Sequence, residues 1–140
     1  KEYAAMISGM IGRHREMEKY VKSTVKEISP NFSSLIEPLL AARFIALAGS
    51  LEKLARMPAS TIQLLGAEKA LFRHLKKQGK SPKYGILYMD ARIQNAPHDK
   101  KGKIARVIAA KLMLAARIDF YSGRVDGTLK QQLEQEVEAI

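Results

Sequence analysis

Lys69 and Arg73 stand four residues apart, directly after the step Gly66-Ala67-Glu68. Four residues is about one helical turn, so the two cations share a face. Small residues ahead of them let a ligand approach the free backbone N–H groups of a helix N-terminus, where the dipole is positive. Phosphate binding is the chemistry such a set can do. Glu68 cannot bind a phosphate itself. It can orient Lys69 or Arg73, accept a hydrogen bond from a base or an amide, or serve only as a first-turn carboxylate that stabilises the helix.

The surrounding charge favours the same chemistry. The 140 residues carry 24 Lys+Arg against 14 Asp+Glu, a formal charge of +10. Between Ala67 and Arg117 stand thirteen basic residues and only Glu68, Asp90 and Asp99, so the whole excess lies in that window. Thermostability tends to raise both signs together and does not explain such segregation. A polyanion, and nucleic acid first among polyanions, is the partner this charge fits. Lys76 and Lys83 flank a basic loop with Gly79 and Pro82, and Lys100, Lys101, Lys103 and Arg106 begin a long helical segment.

Other chemistry is missing from the sequence. There is no cysteine, which excludes disulfides, thiolate zinc sites and Cys nucleophiles. His14, His74 and His98 lie on different elements with no carboxylate at ligand spacing, so no metal site and no cofactor are expected. There is no Walker loop, G-x-G-x-x-G or G-x-S-x-G, and no acid–base pair. A binding module is expected, not an enzyme. No apolar run approaches the roughly 20 residues of a membrane span. The chain opens Lys1-Glu2-Tyr3 without Met or a signal peptide, and is expected to be a piece of something longer.

The elements that must position these residues read as helices. Ile7, Met10, His14, Met17 and Val21 recur at steps of three and four over residues 1–28. That rhythm suits a coiled-coil seam, or equally one amphipathic helix of a bundle. Ser29-Pro30-Asn31 is expected to stop this helix. Ser33 or Ser34 would cap the next, with Glu37 in its first turn, running to about Arg56 on an apolar face that includes Leu39, Leu47 and Leu51. Residues 59–65 read as a short helical piece closed by Gly66. Ala67 to Leu75 reads as a basic helix with Leu71, Phe72 and Leu75 inward. Tyr84 to Tyr88 is strand-like but too short for a sheet, with both tyrosines favoured as core over stacking platforms. Residues 89–98 read as loop. Asp99 would cap a long helix to Tyr121, with Ile104, Ile108, Leu112 and Ala115 buried. Lys111 and Arg117 would pair with carboxylates inside the domain, Arg117 with Asp119 or Asp90. Thr128 to Ile140 is a last, acidic amphipathic helix. The sum is an all-α domain.

Four segments then carry a resemblance. They are Leu64-Leu65-Gly66-Ala67-Glu68-Lys69-Ala70-Leu71-Phe72-Arg73-His74-Leu75, Ser81-Pro82-Lys83-Tyr84-Gly85-Ile86-Leu87-Tyr88, Gly102-Lys103-Ile104-Ala105-Arg106, and Ala109-Ala110-Lys111-Leu112-Met113-Leu114-Ala115-Ala116-Arg117-Ile118-Asp119. In this order they resemble the Nop domain of box C/D ribonucleoprotein core proteins, archaeal members most of all, over roughly residues 29–123. Residues 1–28 would be the returning helix of the family's coiled coil, and 124–140 a C-terminal helix of the same domain. The resemblance implies recognition of a kink-turn guide RNA together with its kink-turn-binding ribosomal-type protein. It implies a bridge to a fibrillarin-type 2′-O-methyltransferase through an N-terminal domain, and self-association through the coiled coil. The chemistry would belong to the methyltransferase. The location would be the cytoplasm in an archaeon and the nucleolus in a eukaryote. The RNA contacts implied are Gly66, Ala67, Glu68, Lys69, Arg73, Lys76, Lys83, Met89, Lys100, Lys101, Lys103 and Arg106. Two positions depart from the family pattern: Met89 stands where His or Gln is common, and Pro97-His98 where two prolines are common. A spliceosomal branch of the family, and a generic basic helical nucleic-acid-binding domain, are the alternatives.

Overall fold

The computed structural model describes residues 1–140. The order is α1 (Glu2–Ile28), α2 (Pro30–Leu35), α3 (Pro38–Ala48), α4 (Leu51–Arg56), α5 (Ala59–Leu64), α6 (Glu68–Leu75), a 3-10 turn (Ile86–Met89), α7 (Ala91–Gln94), α8 (His98–Tyr121) and α9 (Thr128–Glu138). The all-α class read from the sequence is the class observed. No helix is long and apolar enough to cross a membrane.

The core is organised around α8, against which α2, α4, α5, α7 and α9 pack. Its expected inner residues Ile104, Ile108, Leu112 and Ala115 are buried, joined by Ala105, Ala109 and Ala116. The three extra alanines have no bulk beyond Cβ, which lets the surrounding short helices approach its axis closely. Phe32 and Phe44, both fully buried, meet edge to face with centroids 5.7 Å apart.

Several expectations from the sequence are corrected. The second helix is three helices. Pro38 disfavours helical backbone at the residue before it, and Glu37 is extended, its carboxylate accepting from the Leu40 N–H at 3.2 Å. Glu37 is thus the cap; Ser33 and Ser34 lie inside α2 and cap nothing in α3. Gly49 then ends α3 at φ 98°, and the Ser50 hydroxyl caps α4 by accepting from the Lys53 N–H. Leu47 lies off the face that α3 buries through Leu40, Ala41, Phe44 and Ala48, and is 51% exposed. Tyr84–Tyr88 is no strand but enters the 3-10 turn, and residues 89–98 contain α7, capped by the Asp90 carboxylate. Asp99 sits in the first turn of α8 without capping it. The Arg117 Nε–H donates to the Ala55 carbonyl at 3.3 Å, not to Asp119 or Asp90. Lys111 does find a carboxylate, Glu136 of α9, at 2.8 Å.

Asn31, read as part of a helix stop, is the centre of a buried polar junction. Oδ1 of Asp119 accepts from the Asn31 backbone N–H at 3.0 Å and from its side-chain amide at 2.8 Å, and Oδ2 accepts from the Phe32 N–H at 2.8 Å. The remaining Asn31 bonds reach the Arg124 carbonyl and the Asp126 N–H. Asp119, at the end of α8, thereby satisfies the first N–H groups of α2. Burial pushes its carboxyl above the usual carboxylate range, and the bonds from Phe32 and Asn31 only partly offset this.

The helix α1 meets the domain only near its C-terminal end. Val25 is buried and Val21 half-buried, whereas every residue from Lys1 to Met17 is exposed. Ile7, Met10 and Met17 form an open apolar stripe, and His14 bonds Glu18 on the same face at 3.0 Å.

Candidate nucleic-acid interface

The turn that carries Gly66 is fastened to a second strip of backbone. The Gly85 N–H donates to the Gln63 carbonyl and the Ile86 N–H to the Leu65 carbonyl, both at 2.9 Å. The Gln63 side-chain amide donates to the Lys83 carbonyl at 2.6 Å. Both partners in this contact need glycine. Gly66 has φ 94°, and a Cβ there would lie 2.6 Å from Cγ2 of Ile86. A Cβ on Gly85 would overlap the Leu65 carbonyl oxygen and stand 2.8 Å from that of Leu64. Gly85 was not singled out in the sequence, although a lone glycine inside an apolar run is a signal of close backbone approach.

From this junction α6 projects with no side chain buried. Lys69 and Arg73 are exposed on one face, as their spacing requires. The N–H of Gly66 is not free for a ligand, because it donates to Oε1 of Glu68 at 3.0 Å. Glu68 therefore acts as an amide acceptor that fixes the turn. The Ala67 N–H bonds the Leu64 carbonyl, and the first α6 bond runs from Leu71 to Ala67. The N–H groups left at the positive end of the helix are those of Glu68, Lys69 and Ala70. Phe72 and Leu75 do not face inward: they are 59% and 67% exposed, and only Leu71 is half-buried.

After α6 the Lys77 N–H bonds the His74 carbonyl and the Gln78 N–H bonds that of Arg73, with Lys77 at φ 59°. This is a Schellman cap with lysine where glycine usually stands, and a left-handed lysine costs about 1–2 kcal/mol. His74 is a surface residue, its Nδ1 3.2 Å from the Gly79 carbonyl oxygen.

The basic surface continues onto α8. The Lys83 side chain reaches Gly102, whose Cβ position is 3.7 Å from Cδ of Lys83. Lys103 and Arg106 are exposed and Lys100 half-buried. Lys101 is engaged within the chain, donating to the Gln94 carbonyl at 2.8 Å and lying 5.3 Å from the Tyr88 ring centroid. Tyr88 stacks on Tyr84 at 5.1 Å and is 41% exposed, so only Tyr84 is half in the core. Lys69, Arg73, Lys76, Lys77, Lys80, Lys83, Lys100, Lys103 and Arg106 form no ion pair. Lys77 and Lys80 belong to this set and were not picked out individually from the sequence. Arg92 and Lys111 do not belong to it, being paired with Asp90 and Glu136.

Met89 is 56% exposed and lines an open cavity of about 800 Å³ between α1, α3 and α7, together with His14, Val21 and Leu40. The structure thus brings one candidate RNA contact beside two residues of the α1 seam. No three His, Asp or Glu side chains gather where a metal could be held.

The family model described as Nop, snoRNA binding domain, fibrillarin, matches residues 1–140. A NOP5 family protein of Methanocaldococcus jannaschii is 45% identical over 99% of this chain, and nucleolar protein 56 of Caenorhabditis elegans is 41% identical over 99%. The chain spans 34% and 28% of the length of these two relatives. A crystal structure of a fibrillarin/Nop5p complex superimposes with TM-score 0.82 at 32% identity, covering 99% of this chain and 52% of that one.

Proposed function

The chain belongs to the Nop family, and from that premise we propose that it is the RNA-binding scaffold domain of a box C/D guide ribonucleoprotein. It recognises a kink-turn RNA together with the protein bound to it, and serves a fibrillarin-type 2′-O-methyltransferase that carries the chemistry. The observation that carries this reading is the run of cations without ion pairs from Lys69 through Lys83 to Arg106, arranged around a turn held rigid by the Gly85–Leu65 backbone contact. Structured RNA is read largely through shape, phosphates and 2′-hydroxyls, which suits a basic surface with few aromatic residues. The RNA contacts we assign are Gly66, Ala67, Glu68, Lys69, Arg73, Lys76, Lys83, Met89, Lys100, Lys101, Lys103 and Arg106, with Glu68 acting through the turn it fixes. The exposed stripe on α1 serves coiled-coil pairing. The site of action is the nucleolus in a eukaryote and the cytoplasm in an archaeon.

The test is a pair of titrations at one near-physiological salt concentration. One uses a kink-turn RNA alone, the other the same RNA saturated with its kink-turn-binding protein. Binding to the loaded RNA is expected to be tighter by tenfold or more, about 1.4 kcal/mol. Equal affinity for both would reduce the domain to a general basic RNA binder. With about five phosphates contacted, log K should fall with log salt at a slope near −4. A slope near zero would remove the nucleic-acid reading altogether.

A further inference from the structure

We infer that residues 68–82 form a flap that is largely unfolded in the free protein and becomes ordered on RNA, so that helix formation in α6 sets the affinity of the interface. The inference rests on the RNA-binding reading above. Four observations carry it, and each concerns a different property of the same segment.

The segment is closed at its base. Gln63 and Leu65 on one side are bonded to Lys83, Gly85 and Ile86 on the other, so residues 68–82 leave and rejoin the body at one place. Opening this excursion leaves those base contacts and the α8 core intact. Above the base little holds it down. No side chain of α6 is buried, and Phe72 and Leu75 are more than half exposed. An isolated helix of eight residues is marginal in water without tertiary packing.

Its charges oppose the helix. Lys69 and Arg73 are a like-charged pair four residues apart within α6, which destabilises a helix, and Lys76, Lys77 and Lys80 crowd the turn that ends it. The single acid, Glu68, bonds the Gly66 N–H and makes no ion pair with them. Finally, the cap that ends α6 holds Lys77 in the left-handed region. A polyanion removes the repulsion that helix formation concentrates. Folding of the flap and binding of RNA are therefore linked, and the apparent dissociation constant is the intrinsic one divided by the folded fraction.

Two variants separate this from a simple loss of charge. Lys77→Ala and Lys77→Gly both delete the cation, but only glycine relieves the left-handed strain. The glycine variant is expected to bind bare kink-turn RNA about fivefold more tightly than the alanine variant. Hydrogen exchange on the full chain supplies the second readout. In the free protein the amides of Leu71, Lys76 and Gln78 should be protected less than about tenfold, while Ile108 and Leu112 in α8 stay strongly protected. Adding bare RNA should raise protection in the flap by more than tenfold. Equal affinities of the two variants, or flap amides as protected as α8 before RNA is added, would overturn the inference. Both readouts use bare RNA. A failure to prefer the protein-loaded RNA would therefore sink the composite-recognition reading and leave this one standing.

Discussion

Replacing Asp119 with alanine is expected to destabilise the domain by about 3 kcal/mol, because three buried donors lose their only charged acceptor. For a chain of this size that lowers Tm by on the order of 10 °C. The value reflects the donors left without an acceptor, partly offset because burial penalises the carboxylate itself. That penalty also gives a pH signature. The folded-state pKa of Asp119 lies above the unfolded value, with desolvation as the main cause. Below the ordinary aspartate range the carboxyl is protonated in both states, and the stability linked to its raised pKa is fully present. As the pH rises through the folded pKa, that contribution is lost. Thermal melts from pH 3 upward should show the wild type losing ground against Asp119→Asn across this window. A difference that grows in favour of the wild type would mean that the hydrogen bonds outweigh burial.

Replacing Gly85 with alanine is expected to cost about 3 kcal/mol and to lower RNA affinity by tenfold or more. The new Cβ has no space, since what it meets is the backbone of Leu64 and Leu65 and not the flexible end of a side chain. The two strips must separate, which breaks the bonds from Gly85 to Gln63 and from Ile86 to Leu65. The Gly66 turn then loses its brace, and the flap that carries Lys69 and Arg73 loses its fixed attachment beside Lys83. Gly79→Ala is the control, because its nearest neighbour would be 4.0 Å away. Melting curves and RNA titrations on both variants check the pair. Unchanged affinity in a folded Gly85→Ala protein would show that the brace is not needed for binding.

The parts of this fold that were legible in the sequence are those governed by a long local period. The 24 residues of α8 repeat the 3.6-residue pattern often enough that Ile104, Ile108, Leu112 and Ala115 could be assigned to the core. The same logic placed Lys69 and Arg73 on one exposed face. Short elements defeated it. The segments α2, α3 and α4 are 6, 11 and 6 residues long, and their leucines mimic one continuous apolar face across two breaks. The break signals were local and readable, Glu37 before Pro38 and Ser50 after Gly49, but hydrophobic spacing masked them. The reading of Phe72 and Leu75 as inward rested on the assumption that an amphipathic helix always has a core to face, and α6 has none in this chain. Asn31 and Gly85 were illegible for a different reason. Their partners lie 88 residues and about 20 residues away in the chain, and no local pattern encodes such a pairing.

The junction between Asn31 and Asp119 also constrains the order in which the domain can be made. Its acceptor lies 88 residues downstream of its donors, so the loop to be closed is most of the domain. Closing so long a loop is slow relative to forming the helices themselves. On a ribosome adding about 5–20 residues per second, α1 through α5 emerge well before α8 exists. For those seconds the Asn31 and Phe32 N–H groups that open α2 lack their acceptor, and the apolar faces of α2, α4 and α5 lack the helix they pack on. The domain is therefore a late folder despite its all-helical make-up, dependent on the arrival of one helix near its end.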